Sequence, residues 1–228
     1  MSDAHQLGLF KRLGLSNFSP AEVEEAHAIC KERGYVLPTV YEGNYSAVAR
    51  KADTLLLPLL RRLGISFYAY SPMAGGLLTK TPEQLAARGA DAGRFGEQGL
   101  GAIMYNALYN KPSYIAALGL WAELAKAAGV SKAELAYRWV ACDSPLSVEH
   151  GDAILFGGST PTQVGEVLGW LKKGSLGAEV RAKVDAIWRT VEEDAPMDNY
   201  QSFWKEKSAE VLRPGGSKGT VGGFVTTK

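Results

Sequence analysis

Ser16 and Asn17, with Tyr70 and the small residues that follow it, are the side chains whose types and spacing point to chemistry. A serine hydroxyl beside an asparagine amide offers both donors and acceptors, which suits the grip of a carboxamide. The ring of Tyr70 can stack on a flat heterocycle. The run Ser71-Pro72-Met73-Ala74-Gly75-Gly76 is small enough for backbone to approach a pyrophosphate, and Ser159-Thr160 opens a helix whose N-terminus attracts phosphate. Glu42 and the pair Gly157-Gly158 add a carboxylate and open amides to the same set. The three histidines, His5, His27 and His150, are scattered and no CxxC occurs, so no metal site is expected.

Each of these groups follows a strand candidate. Residues 7–15 read as a first strand, and Ser19-Pro20-Ala21-Glu22 as a helix start: serine caps, proline costs no hydrogen bond there, and the acid faces the positive end of the helix dipole. That helix is expected to reach about Arg33 and stop at Gly34. Residues 35–41 are the second strand candidate. Residues 47–63 read as one helix with Leu55, Leu56, Leu59, Leu60 and Leu63 at helical spacing, ending at Gly64. Residues 65–70 form an apolar third strand with no solvent face, as for a parallel strand covered on both sides.

A long irregular stretch with short helical pieces is expected over residues 80–112, the length of a functional lid. Helices with serine starts are expected over 113–128 and 131–141, and a short fourth strand over 153–156. Thr160-Pro161 should open a helix to about Lys173, and residues 178–193 a last amphipathic one. The order βαβαβ…αβα predicts an α/β fold with a parallel sheet or barrel, whose sites gather at the C-terminal strand ends. A full eight-unit barrel takes about 250 residues; this pattern yields four strands.

The 228 residues are 46% hydrophobic and 21% charged with a net charge of +1, which suits a soluble globular protein and excludes a polyanion or membrane surface as the expected partner. No apolar run reaches the roughly 18 residues of a membrane-crossing helix, and residues 1–6 are polar, so a cytoplasmic location is expected. Cys30 and Cys142 read as reduced, packed thiols. Glu24, Glu25, Lys31 and Glu32 read as a solvated helix face, and Trp121, Trp139, Trp170 and Trp188 as packing residues. Residues 1–204 are taken as one domain and 205–228 as a flexible tail, with five glycines in 214–228.

Over roughly residues 7–200 the chain resembles an aldo-keto reductase. The markers are Gly14-Leu15-Ser16-Asn17-Phe18, Tyr68-Ala69-Tyr70-Ser71-Pro72-Met73-Ala74-Gly75-Gly76 and Ala136-Tyr137-Arg138-Trp139. Pro38-Thr39-Val40-Tyr41-Glu42-Gly43-Asn44-Tyr45 and Gly93-Arg94-Phe95 resemble its aflatoxin-aldehyde reductase branch. The resemblance implies a partial (β/α)8 barrel, about the last four βα units plus C-terminal helices. It also implies NADPH as cofactor and a small aldehyde or ketone as substrate, in secondary metabolism. Ser16 and Asn17 would hold the nicotinamide carboxamide and Tyr70 would stack on its ring. Ser71, Pro72, Met73, Gly75, Gly76 and Arg94 would wrap the pyrophosphate, while Gly158, Ser159 and Gln163 would receive the 2′-phosphate side.

Three positions depart from the family pattern. Glu42 stands where glutamine is common; Val167 replaces an asparagine usual at the adenine end; Asn199-Tyr200-Gln201-Ser202 lacks an arginine that binds substrate carboxylates, which argues against an acidic aldehyde. Carbonyl reduction also needs an acid. In the family this is a tyrosine tuned by lysine and aspartate with a histidine beside them, all from the first barrel half, and none has a motif-matched counterpart here. The chain is therefore expected to start at the fifth strand and to pair with itself or with a complementary half. Its alternative reading is an inactive nucleotide-binding or regulatory half-barrel subunit.

Overall fold

A computed structural model describes residues 1–97 and 99–205. The tail expected over 205–228 lies outside them except for Lys205. Four parallel strands, β1 (Leu13–Ser16), β2 (Pro38–Asn44), β3 (Ser66–Tyr70) and β4 (Ala153–Ile154), form a single sheet in chain order. β1 and β4 are its edges. The fold is α/β, as the alternation of elements predicts.

Pairing is in register through the ends that matter. Ser16 stands opposite Glu42, Asn44 opposite Tyr70, and Ala69 opposite Ile154. Because side chains alternate, Tyr41, Phe67 and Ala69 share one face, and all three are buried in the main core. The opposite face carries Ser16, Glu42, Asn44, Ser66, Tyr68 and Tyr70. It is polar, and Tyr68 and Tyr70 are only half-buried, so β3 does have a distinct second face. Arg12 lies along that face, donating to the Thr39 carbonyl at 2.8 Å and the Tyr68 hydroxyl at 2.9 Å.

The first helix after β1, α2 (Pro20–Glu32), starts as its sequence demands. Ser19 Oγ accepts from the Glu22 amide at 3.3 Å, and Glu22 returns the bond to the Ser19 amide at 2.6 Å, a complete capping box. Two expectations fail upstream and downstream of it. Residues 7–12 are not strand: a short helix α1 (Ser2–Gln6) precedes them, Gly8 turns the chain at φ 71°, and Leu7 and Leu9 are exposed. The helix expected over 47–63 is broken into α3 (Ala52–Leu55) and α4 (Leu57–Leu63). Pro58 has no N–H to bond the carbonyl four residues before it and its ring crowds that carbonyl, so the helix breaks at Leu56 (φ −121°) and restarts at Leu57 with the proline in its first turn, where the N–H is not needed.

Residues 80–112 are more ordered than a lid. They hold α5 (Pro82–Ala87), a 3₁₀ turn Ala90–Phe95 and a full helix α6 (Leu100–Tyr109). Phe95, Tyr105, Leu108 and Tyr109 are buried in the main core, because four large apolar or aromatic side chains on one helix face and its approach have no other low-energy place. Helices α7 (Pro112–Ala127), α8 (Lys132–Arg138), α9 (Pro161–Leu171) and α10 (Ala178–Val191) follow close to their expected limits. A wide π turn, Trp139–Asp143, ends α8. Trp121 and Trp139 are fully buried. Cys30 and Cys142 are free, but Cys142 is exposed rather than packed, since it sits on the outer side of that turn.

At the strand starts, away from the candidate site, one carboxylate ties four segments. Asp152 accepts both guanidinium N–H groups of Arg61, at 2.9 and 2.6 Å, and the amides of Phe67 and Ser147, at 2.8 and 2.9 Å. Its side chain is 2% exposed.

Candidate functional site

The parallel sheet puts the ends of β1, β2, β3 and β4 on one rim. A cavity of about 410 Å³ opens there, lined by Tyr70, Ser71, Pro72, Met73, Gly75, Gly76, Arg94, Tyr137, Leu155, Phe156 and Gly157. Eight of the residues singled out from sequence, Gly157 among them, therefore line one cavity, with Tyr70, the 71–76 turn and Arg94 on a shared wall. Ser16 and Asn17 stand at the end of β1, while Gly158, Ser159 and Gln163 continue from Gly157 to the start of α9; Glu42, expected after its strand, lies inside β2 opposite Ser16 because that strand runs on to Asn44.

The turn after β3 is built of left-handed backbone. Ser71 (φ 58°) and Ala74 (φ 50°) adopt it as non-glycine residues, and Gly75 (φ 69°) and Gly76 (φ 101°) continue it. Such conformations cost roughly 1–3 kcal/mol each for residues with a Cβ and persist only where neighbours impose them. Here the Ala74 amide bonds the Ser71 carbonyl at 2.8 Å and the Gly76 amide the Met73 carbonyl at 3.0 Å, while Ala74, Leu77 and Leu78 are buried below. Gly75 is obligatory for a second reason: a Cβ there would lie 2.2 Å from the Tyr105 ring. Arg94 crosses the same ring, donating to the Tyr105 hydroxyl at 3.1 Å.

Asn17 is also left-handed, at φ 61°. Its Oδ1 accepts from the Tyr70 hydroxyl at 3.3 Å, which leaves the amide N–H groups to donate. Ser16 Oγ donates to the Glu42 carbonyl at 2.9 Å and so has only lone pairs to offer. The two together present one acceptor and one donor, the complement of a carboxamide. Asn17 is held from far along the chain: Gln201 Nε2 donates to its carbonyl at 3.1 Å and to Glu22 at 3.0 Å. Asp198 caps the turn that carries Gln201, accepting from the Tyr200 and Gln201 amides.

At α9 the Ser159 amide is already bonded, to Gln163 Oε1 at 2.8 Å, while Thr160 Oγ1 accepts from the Gln163 amide at 3.3 Å. Gln163 thus acts as a helix cap here. Val167 is buried on the inner side of α9, where a valine has no polar atom to offer. Glu42 is exposed.

Burial makes Tyr41, Tyr45, Tyr70 and Tyr137 poorer acids than a free phenol. Burial first, and the Asp198 carboxylate second, push the hydroxyls of Tyr70 and Tyr41 above the usual phenol range. Burial and then Asp53 do the same to Tyr45, and burial alone to Tyr137.

Sequence reasoning missed four contributors. Tyr137 and Phe156, packed edge to face at 5.8 Å, close the cavity's far side. Tyr137 stands in a motif read only for its resemblance, and Phe156 at the end of the expected fourth strand, read for its topology alone. Tyr105 and Gln201 carry no local signal, because what they hold lies about 30 and 184 positions away.

Residues 1–189 match the model of the aldo/keto reductase family. The oxidoreductase sirO of Leptosphaeria maculans is 41% identical over 196 residues, 86% of this chain and 59% of that protein. Aldo-keto reductase family 7 member A3 of Homo sapiens is 36% identical over 197 residues, 84% and 59% of the two chains. Aflatoxin B1 aldehyde reductase member 2 of Homo sapiens is 36% identical over 196 residues, 84% and 55%. The chain spans a little more than half the length of these relatives. With the match running through every strand and the rim they build, the chain belongs to the aldo/keto reductase family, on the side of its aflatoxin-aldehyde reductases.

Proposed function

We propose that the chain supplies the cofactor-holding part of an NADPH-dependent reductase that converts an aldehyde or ketone to an alcohol. The observation that carries the reading is the shared cavity wall of Tyr70, residues 71–76 and Arg94, set beside Ser16 and Asn17 at the strand ends. In this reading the four parallel strands are one half of an eight-stranded barrel, and β1 and β4 are the edges that the other half would meet.

The residues present fit a dinucleotide. Ser16 Oγ would accept from a carboxamide NH₂ and the Asn17 amide would donate to its oxygen, given the bonds each already makes. Tyr70 would offer its ring face, with its hydroxyl fixed by Asn17. The glycine turn lets backbone come close to a pyrophosphate, and Arg94 brings the matching positive charge. The reduced cofactor, when bound, supplies the hydride. The developing alkoxide needs a proton donor, and the raised hydroxyls of Tyr41, Tyr45, Tyr70 and Tyr137 do not serve at neutral pH. The reading therefore assigns the acid to none of these four tyrosines.

Titration of the full chain with NADPH, read by cofactor fluorescence, tests this. Ser16→Ala and Tyr70→Ala are expected to weaken binding, each by about tenfold for one lost polar or stacking contact. Unchanged affinity in both variants would remove the nicotinamide from this rim. Consumption of NADPH with a test aldehyde, once a complementary half is supplied, separates a reductase from a module that only binds.

A further inference from the structure

We infer that Tyr105 is a positioning residue that sets the anion clamp of this site, fixing the glycine turn and Arg94 in a single arrangement. The inference rests on the cofactor reading above for the identity of the natural ligand, but not for the clamp itself. Tyr105 projects from α6, 6% exposed, and lies behind the cavity wall against both the glycine turn and Arg94. Its ring edge occupies the space a Gly75 side chain would need, approaching to 2.2 Å of that Cβ position. Its hydroxyl accepts from Arg94 Nη1 at 3.1 Å, and the guanidinium carbon lies 5.6 Å from its ring centroid.

Both contacts oppose disorder. The turn at 71–76 holds Ser71, Ala74, Gly75 and Gly76 in left-handed backbone, and the Tyr105 ring edge against Gly75 adds to the backbone bonds that keep that geometry from relaxing. Arg94 is exposed, and an exposed arginine is free among many rotamers unless something holds it. A hydrogen bond and a cation–π contact to one side chain select the rotamer that lines the cavity, leaving the remaining N–H groups for an anion. The ring is itself fixed. Phe95 packs against it at 5.8 Å and Tyr109 stacks at 6.3 Å. Tyr109 in turn accepts from Asn44 Nδ2 at 2.9 Å, and Asn44 is the register partner of Tyr70. The clamp is therefore tied to the same strand ends that carry the nicotinamide-side residues.

Tyr105→Phe keeps the ring and loses only the hydroxyl. It should leave the melting temperature within about 2 °C, since one partly exposed bond is lost. Binding of two probes, inorganic pyrophosphate and NADPH, is measured for wild type, Tyr105→Phe, Arg94→Met and the double variant. Each single change is expected to weaken pyrophosphate roughly tenfold, the size of one charge-assisted bond, and the double variant no more than Arg94→Met alone. That non-additivity is the readout a merely structural tyrosine would not give. Additive losses, unchanged affinity in Tyr105→Phe, or no pyrophosphate binding by wild type would each overturn the inference. Wild type that binds pyrophosphate but not NADPH, with the non-additive pattern intact, would support the clamp and sink the cofactor reading.

Discussion

The two ends of the rim are held by opposite kinds of force. At the β1 end, Asn17 is gripped through hydrogen bonds that run to Gln201 and Glu22, with Asp198 capping the turn behind them. At the β3 end, the glycine turn rests on the face and edge of aromatic side chains from α6. A polar knot is directional, and a missing partner costs more than the bond gained. An aromatic support asks first for shape. The difference teaches what sets the fold of each end: a change of volume should distort the turn at the β3 end, whereas at the β1 end the larger insult to the backbone is the loss of a bonding partner.

The most damaging test is Gly75→Ala. The new Cβ meets the Tyr105 ring at 2.2 Å in a left-handed backbone, so overpacking and strain together should cost about 3 kcal/mol or more and abolish clamp function. Thermal unfolding with NADPH titration reads both effects, and a variant as stable and tight-binding as wild type would show that the β3 end is not shape-limited. Gln201→Ala comes next. It removes the donors to Asn17 and Glu22, and about 1–2 kcal/mol of stability with them, and should weaken NADPH without altering pyrophosphate binding. Equal loss for both probes would mean the two ends are one unit.

The smallest expected effect depends on pH. Burial raises the Asp198 carboxyl above its ordinary range, and its Oδ2 is buried without a partner. A carboxyl raised on folding stabilises the protein below its unfolded value and loses that contribution as pH rises through the folded value. Asp198→Asn keeps the Oδ1 cap and removes the buried charge. Relative to wild type it should thus gain stability as pH rises from the acid side to 7, with the gain vanishing in acid. Denaturant midpoints across that range check the sign; a difference constant with pH would show that Asp198 carries no charge penalty.

How far the sequence could be read follows the same division. Local signals served well: the Ser19 capping box, the glycine stops after α2 and α4, and the serine-asparagine pair at a strand end are all written within a few residues. The rim was legible because parallel strands bring their ends together whatever their exact limits. Pro58 was legible too, but the leucine periodicity around it outweighed a single imino acid, and the helix over 47–63 was drawn unbroken. Residues 80–112 look irregular in sequence because Gly89, Gly93, Gly96 and Gly99 interrupt the pattern between α5 and α6, and only tertiary burial of Phe95, Tyr105 and Tyr109 makes them part of the core. What supports the site, as against what forms it, lay out of reach, since Tyr105 and Gln201 are matched to their targets by the fold alone.

Asp152 gives this division of labour an evolutionary meaning. Its carboxylate spends both oxygens on Arg61 and on two backbone amides at the end of the sheet remote from the cavity, which ties α4, the start of β3 and the approach to β4 together there. Rim loops can then drift in sequence or lengthen without this part of the frame slipping beneath them. A lineage that keeps this one anchor is free to explore new pockets on an old scaffold.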